Sequence, residues 1–175
     1  MLKSYMHRIF TILILPFSLS LNLIAKEPTI ATLVNIVSND TQQFKIGNYQ
    51  FDCKPYGILT IDELYKEAKL DSTCKETISS FYTKRKDMLH YTESKMKIMQ
   101  SYPLKFKNNR CIISIEGEKS LAEFLLQEGL AVKKPKLKDK ENEFYLFKAQ
   151  YEAKITKKGI WGKNIIKECI ANIYE

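Results

Sequence analysis

A pair of helix signals in the C-terminal half constrains the fold of this chain more than any other feature. Ser120 and Glu123 have the spacing of a capping box, in which each side chain accepts a hydrogen bond from the other residue's backbone amide. A mostly apolar run follows at residues 121–126, and Gly129 can adopt the left-handed conformation that ends a helix. A short apolar helix is therefore predicted here.

A second, longer helix is predicted from about residue 141 to residue 158, with Gly159 at its end. Apolar side chains recur along it at helical intervals. This stripe consists of Phe144, Phe147, Tyr151 and Ile155.

The N-terminal half has the pattern of strands. Residues 30–37 are largely β-branched and apolar, and residues 43–51 alternate around the hairpin-turn dipeptide Gly47-Asn48. Strand character returns at residues 104–115, where residues 107–109 predict a turn just before Arg110.

One further helix is predicted between these strands. Thr73 and Glu76 have capping-box spacing. The apolar positions that follow at helical intervals are Cys74, Ile78, Phe81 and Met88. Because no repeat or low-complexity linker divides residues 26–175, we expect one domain with a short C-terminal tail. Strands followed by helices, with one helix inserted, indicate an α+β domain built on a small barrel.

The first 25 residues differ from the rest of the chain. Lys3 and Arg8 precede a mostly apolar run that ends at Ala25, which is the layout of a secretory signal peptide. The alternative is an uncleaved membrane anchor, although Pro16 and three polar residues interrupt the run and ~20 mostly apolar residues are needed to span a bilayer. Cleavage would lower the net charge from +8 to +6 because only the two basic residues are lost. A basic excess suits a polyanionic partner such as nucleic acid.

Four cysteines follow the apolar segment, at positions 53, 74, 111 and 169. An even number in an exported chain indicates two disulfides, and four cysteines allow three pairings. No CxxC spacing exists, so the sequence excludes most zinc sites and thioredoxin-like chemistry. His90 is the one histidine left after cleavage, which excludes histidine-rich metal sites.

Two C-terminal segments carry a resemblance to a known family. GEKSLAEFLLQEGLAV at residues 117–132 and FKAQYEAKITKKGIWG at residues 147–162 resemble the thermonuclease family of staphylococcal-nuclease-like domains, with its "GLA" and "GIW" helix ends. Residues 31–34 and Asn39-Asp40-Thr41 are similar to that family's first strand and its "DGDT" turn. The resemblance implies a five-stranded OB-type barrel with three helices that cleaves DNA and RNA with calcium.

The resemblance also implies roles for particular residues. Phosphodiester hydrolysis needs a metal to orient the phosphate, cations to stabilise the transition state and a carboxylate to position water. Asp40 matches a metal-binding aspartate, Thr60 the metal-binding threonine and Arg110 a catalytic arginine. Lys54 stands where the family has a second arginine, and Asp62 where it has a glutamate. If the match to the family motif shifts by one residue, Glu63 takes the position of Asp62.

Several departures from the family pattern weaken that chemistry. Leu59 stands at the position of the second metal-binding aspartate, and leucine cannot ligate calcium. Lysine at position 54 cannot make the two-pronged phosphate contact of arginine. The segment at residues 132–137 lacks the tyrosines against which the nuclease packs a base. Its lysines, Lys133, Lys134 and Lys136, form a candidate phosphate-contacting strip.

Cys53 and Cys111 flank the candidate site on strands that we expect to be neighbours. We therefore predict a Cys53–Cys111 disulfide, with Cys74–Cys169 tying a helix to the tail. A Cys53–Cys74 bridge would contradict this pairing.

Three interpretations stay open at this level. The first is an exported nuclease-fold protein that binds nucleic acid with weak or no hydrolysis and needs no cofactor. The second is an active calcium-dependent nuclease with a remodelled site. The third is an envelope scaffold for protein contacts. The sequence does not define the oligomeric state.

Overall fold

The computed structural model describes residues 27–66, 72–117, 119–135, 137 and 139–162. The strands are β1 (Thr29–Ser38), β2 (Thr41–Ile46), β3 (Tyr49–Cys53), β4 (Ile58–Thr60), β5 (Ser101–Lys107), β6 (Arg110–Glu116), β7 (Lys119–Ser120) and β8 (Ala131–Lys133). The helices are α1 (Ile61–Lys66), α2 (Ser72–Lys84), α3 (Lys86–Leu89), α4 (Tyr91–Lys95), α5 (Leu121–Gln127) and α6 (Lys140–Ile155), followed by a 3-10 helix (Gly159–Gly162). The predicted signal peptide lies outside the described residues. Within them, no helix has both the length and the apolar character to cross a bilayer.

The strands form one antiparallel six-stranded sheet in the order β3-β2-β1-β5-β6-β7, beside a two-stranded ribbon of β4 and β8. Both predicted turns are present. Gly47 has a φ of +58° between β2 and β3, and Asn108 and Asn109 have φ values of +48° and +57° between β5 and β6. Glycine and asparagine tolerate this left-handed region better than other residues, which is why the chain reverses at these points.

The sheet curls so that its β3 edge approaches β6. The amide of Cys111 donates a 2.8 Å hydrogen bond to the carbonyl of Lys54, and the amide of Tyr56 donates one of 2.9 Å to the carbonyl of Cys111. A disulfide joins Cys53 to Cys111, whose Cα atoms are 5.8 Å apart; this is the pair that the sequence favoured. The predicted α+β class with an OB-type arrangement of strands is confirmed, and the antiparallel sheet curls without closing. The described residues also contain six α-helices rather than three.

The short helix predicted after Ser120 is confirmed, together with its Ser120–Glu123 capping box. The Glu123 amide donates to the Ser120 hydroxyl, and the Glu123 carboxylate accepts from the Ser120 amide at 2.9 Å. After α5, Gly129 has a φ of +66° and its carbonyl accepts a 3.0 Å hydrogen bond from the amide of Ile160. A Cβ on Gly129 would overlap the Lys158 carbonyl, and a Cβ on Gly159 would overlap the carbonyls of Glu128 and Gly129. The two glycines therefore allow the ends of α5 and α6 to touch backbone to backbone.

The Thr73 capping box is wrong, because α2 already begins at Ser72 and Thr73 lies inside the helix. The helix also ends earlier than its apolar pattern indicates. Arg85 interrupts it, and Met88 belongs to α3. Cys74, Ile78 and Phe81 are the buried residues of α2, as their spacing predicts.

The apolar stripe of α6 does not face the core. Phe144, Phe147, Tyr151 and Ile155 are each more than half exposed. The side chains that α6 buries are Leu146, Ala149, Gln150 and Ala153. Small residues let α6 pack closely on α5, whereas the aromatic stripe would hold the two helices apart.

Candidate functional site

The structure brings together most of the side chains to which the resemblance points. Asp40 lies in the turn between β1 and β2, Lys54 directly follows β3, and Arg110 begins β6. Glu63 lies in the first turn of α1. The contact between Cys111 and Lys54 described above places the start of β6 against the segment that follows β3.

Asp40 is fully buried at the centre of this cluster. Its Oδ1 accepts hydrogen bonds from the Ser38 hydroxyl and, at 3.2 Å, from the Lys66 ammonium. Its Oδ2 lies 3.4 Å from the Lys54 ammonium and accepts no hydrogen bond from the described residues. Burial raises the pKa of the Asp40 carboxyl, but Ser38, Lys66 and Lys54 outweigh it, and the pKa lies below its usual value. Asp40 is therefore an ionised carboxylate held by two ammonium groups.

Arg110 and Glu63 form a two-pronged ion pair. Both guanidinium Nη atoms donate to the Glu63 carboxylate, one of them at 3.2 Å, and Nη1 also lies 3.3 Å from the carbonyls of Pro55 and Ile58. Lys54 Nζ is 3.9 Å from Glu63, so it stands between the two acids. Glu63, one residue after Asp62, is thus the carboxylate that faces the arginine.

Asp62 points away from Arg110 and supports the fold. Its carboxylate accepts hydrogen bonds from the Asn39 amide at 3.1 Å and from the Tyr82 hydroxyl at 2.5 Å. Burial raises the pKa of Asp62, and these two donors only partly offset the effect. The Thr60 hydroxyl accepts from the Glu63 amide at 3.1 Å and so caps the start of α1.

Three further residues complete the cluster, of which only Asn39 was named from the sequence, as part of the turn around Asp40. Lys66 reaches Asp40 from the last turn of α1, and Tyr82 reaches Asp62 from α2. The buried side chain of Asn39 donates to the carbonyls of Met88 and Leu89 and accepts from the amide and hydroxyl of Thr92. Lys66 lies three residues after Glu63 on α1, a spacing that predicts a pair with Glu63 rather than the observed contact with Asp40.

The residues present do not fit a calcium ion. Leu59 is buried in the core and pairs with Val132 across the β4–β8 ribbon, so it fills the second ligand position with apolar packing. Among the described residues, no three acidic, histidine or cysteine side chains converge as metal ligands. Calcium prefers six to eight oxygen ligands. Here Asp40 alone supplies carboxylate oxygens at the expected position, and lysine ammoniums already lie against both of them.

The remaining predicted residues lie elsewhere. Lys133 is on β8, and its ammonium pairs with Glu143 at 2.8 Å while only 11% of its side chain is exposed. The Lys134 amide donates to the carbonyl of Gly57. Lys136 lies outside the described residues, and a phosphate-binding role for this strip stays a prediction. Cys74 is buried and is not a free thiol, but Cys169 also lies outside the described residues, so their pairing stays a prediction.

The curled sheet, the packed ends of α5 and α6, and an arginine–glutamate pair beside a buried aspartate define a nuclease-like α+β domain. A family model described as "Staphylococcal nuclease homologue" matches residues 60–163, more than half of the chain. The chain belongs to this family. None of the curated proteins matches the chain significantly. Members of the family generally bind nucleic acids and depend on calcium.

Proposed function

We propose that this chain is an exported nuclease-fold protein that binds nucleic acid with weak or no phosphodiester hydrolysis. The observation that carries the proposal is the pair of lysine ammoniums on Asp40, Lys66 at 3.2 Å and Lys54 at 3.4 Å. They lie on the carboxylate that would otherwise be available to a metal ion.

The cluster keeps a cationic surface for phosphate. Three cationic side chains, Lys54, Lys66 and Arg110, meet at the carboxylates of Asp40 and Glu63. The third acid of the cluster, Asp62, is turned towards Tyr82. The side chains of Lys54 and Lys66 are 41% and 60% exposed, so a phosphate can reach both ammoniums while Asp40 holds them in place from beneath. Lysine side chains are among the groups that neutralise phosphates when proteins bind nucleic acid.

Hydrolysis lacks the parts that the reaction requires. The site offers no second metal-ligating carboxylate, because Leu59 replaces it. Glu63 is held by both Nη atoms of Arg110, so the arginine that would stabilise the transition state is already engaged. Stabilisation of developing charge is usually the largest contribution to such catalysis.

Binding of a fluorescent oligonucleotide by the purified protein tests the proposal. We expect binding to persist in the presence of a chelator. The logarithm of the binding constant should fall linearly with the logarithm of the salt concentration. Lys66→Gln should weaken binding uniformly across sequences and lower the salt slope by about 1. The matched control is Lys75→Gln, which removes an exposed lysine on α2 and should leave the slope unchanged. Absence of salt-sensitive binding would contradict the proposal and favour the scaffold interpretation.

A second candidate function is a true nuclease with a remodelled site. The presence of both a glutamate and an arginine in the cluster favours it, because these are the two residue types that position water and stabilise the transition state in the family, although here they engage each other. Its signature would be metal-dependent cleavage that Arg110→Ala abolishes.

Export is part of the proposal. A disulfide such as Cys53–Cys111 is typical of proteins in an oxidising compartment, and the apolar segment before Ala25 has signal-peptide character. We expect the mature protein to begin at Lys26, which N-terminal sequencing of protein from the expressing cells would check. An intact Met1 terminus would instead indicate a retained anchor.

A further inference from the structure

Three aromatic side chains at one end of the sheet have no role in the cluster around Asp40. Alternate residues on each strand point to the same face. On the core-facing side, β3 runs from buried Cys53 through Phe51 to Tyr49, and β5 runs from buried Leu104 to Phe106. We call Tyr49, Phe51 and Phe106 the aromatic edge, because they continue the core-facing rows beyond the point where the core ends.

The rings of the aromatic edge contact one another. Tyr49 and Phe51 stack with centroids 6.1 Å apart and planes 20° apart, and Phe51 lies 5.4 Å from Phe106. In the sheet, β1 and β2 lie between β3 and β5. Phe51 on β3 can therefore reach Phe106 on β5 only through the curl of the sheet. Phe51 also packs on buried Phe44, so the ring cluster is anchored to the core at one side.

The other side of the cluster is open to solvent. Tyr49 is 71% exposed and Phe106 is 55% exposed. Rings that are fixed from behind and exposed in front offer flat apolar faces with little side-chain entropy left to lose. Such faces suit a planar ligand that stacks.

The charge of the two hairpins indicates which kind of planar ligand the rings would bind. Residues 41–53 and 101–111, which carry the rings, contain four basic residues and one acid. Lys107 pairs with Asp139 and Arg110 with Glu63, so among the described residues Lys45 and Lys105 are the two basic residues of these hairpins that have no ion-pair partner. The acid, Asp52, already accepts a hydrogen bond from Gln43. A positively charged support with exposed aromatic rings is how proteins bind single-stranded nucleic acid, whose unpaired bases stack on the rings while its phosphates meet the basic residues.

We propose that the aromatic edge stacks the bases of single-stranded nucleic acid. This inference rests on the proposed nucleic-acid binding and adds where the bases are held. Arg110 and Lys107 are partners in the β5–β6 hairpin, and Phe106 directly precedes Lys107. One hairpin therefore joins the cationic cluster to the aromatic edge.

The exposed stripe of α6 is a different kind of surface. Within α6, three lysines are balanced by three glutamates, so the helix has no excess charge for a polyanion. Phe147 stacks on Tyr151 at 6.2 Å and is as exposed as Phe106. Phe147 is therefore a matched control for the aromatic edge.

The experiment compares two probes of equal length, oligothymidylate and an oligomer with the same sugar-phosphate backbone but no bases. We expect the purified protein to bind oligothymidylate about tenfold more tightly. Tyr49→Ala and Phe106→Ala should each remove most of this difference and leave affinity for the base-free oligomer unchanged. Phe147→Ala should change neither affinity. Thermal melting shows whether each variant is folded, and Tyr49, the most exposed ring, is the variant least able to disturb the core.

The outcomes distinguish a failure of this inference from a failure of the proposed nucleic-acid binding on which it rests. Equal affinity for the two probes, or a difference that survives Tyr49→Ala, overturns the inference alone. No binding of either probe overturns the proposed function as well. Self-association that Tyr49→Ala abolishes would overturn the inference by assigning the aromatic edge to a second copy of the chain.

Discussion

Replacing Gly159 with alanine is expected to lower the free energy of unfolding by about 4 kcal/mol. Two costs combine, each of ~1–3 kcal/mol: a left-handed backbone for a residue with a side chain, and forced displacement in a packed region. Gly159 has a φ of +51°, and a Cβ there would overlap two backbone carbonyls, which cannot rotate away as a side chain can. Urea denaturation of the purified protein measures the loss.

The matched control for Gly159→Ala is Gly47→Ala. Gly47 has a similar φ of +58°, but a Cβ there would have no atom within 4 Å. Its substitution should therefore cost only the backbone term, about 1 kcal/mol. Equal losses for the two variants would show that the close contact between the ends of α5 and α6 does not stabilise the fold.

Replacing Asn39 with leucine is expected to lower the free energy of unfolding by about 3 kcal/mol or more. Asn39 makes four side-chain hydrogen bonds, two donated to backbone carbonyls of α3 and two accepted from Thr92. Leucine has a similar volume but satisfies none of these groups, and each buried group left unpaired costs ~1–3 kcal/mol. Since Asn39 precedes Asp40, the same change should weaken oligonucleotide binding.

Asn35→Leu provides the comparison for Asn39→Leu. The Asn35 side chain donates one exposed hydrogen bond, to Gln43 at 3.1 Å, so its replacement should change stability by less than ~0.5 kcal/mol. A similarly small effect at Asn39 would mean that the turn before Asp40 does not depend on α3 and α4.

The sequence predicted best the elements that depend on local backbone chemistry. The Ser120–Glu123 capping box, the Gly47-Asn48 turn and the Asn108-Asn109 turn all use residues whose conformational preference decides the structure. The stripe of α6 shows the limit of pattern reading. Helical periodicity identifies an apolar face, but α6 has two, and close packing selected the face with Ala149 and Ala153.

The candidate site was predictable only in outline. The family pattern indicated that Asp40, Lys54 and Arg110 would meet, but it could not show which of two adjacent acids faces the arginine. Adjacent residues on a helix point in different directions. At the start of α1, Asp62 therefore faces Tyr82, whereas Glu63 faces Arg110. Lys66 and Tyr82 lie 26 and 20 residues from the acids they contact, and their placement depends on how α1 and α2 pack.

The central claim is that lysine ammoniums at Asp40, with Leu59 in the core, replace the calcium chemistry of the family. Cleavage of labelled single-stranded DNA by the purified protein, with calcium or with chelator, tests it most directly. A calcium-dependent member of the family, assayed in parallel, shows that the conditions support cleavage. The account predicts that the DNA stays intact to the same extent in calcium and in chelator. Calcium-dependent cleavage that Arg110→Ala abolishes would contradict it.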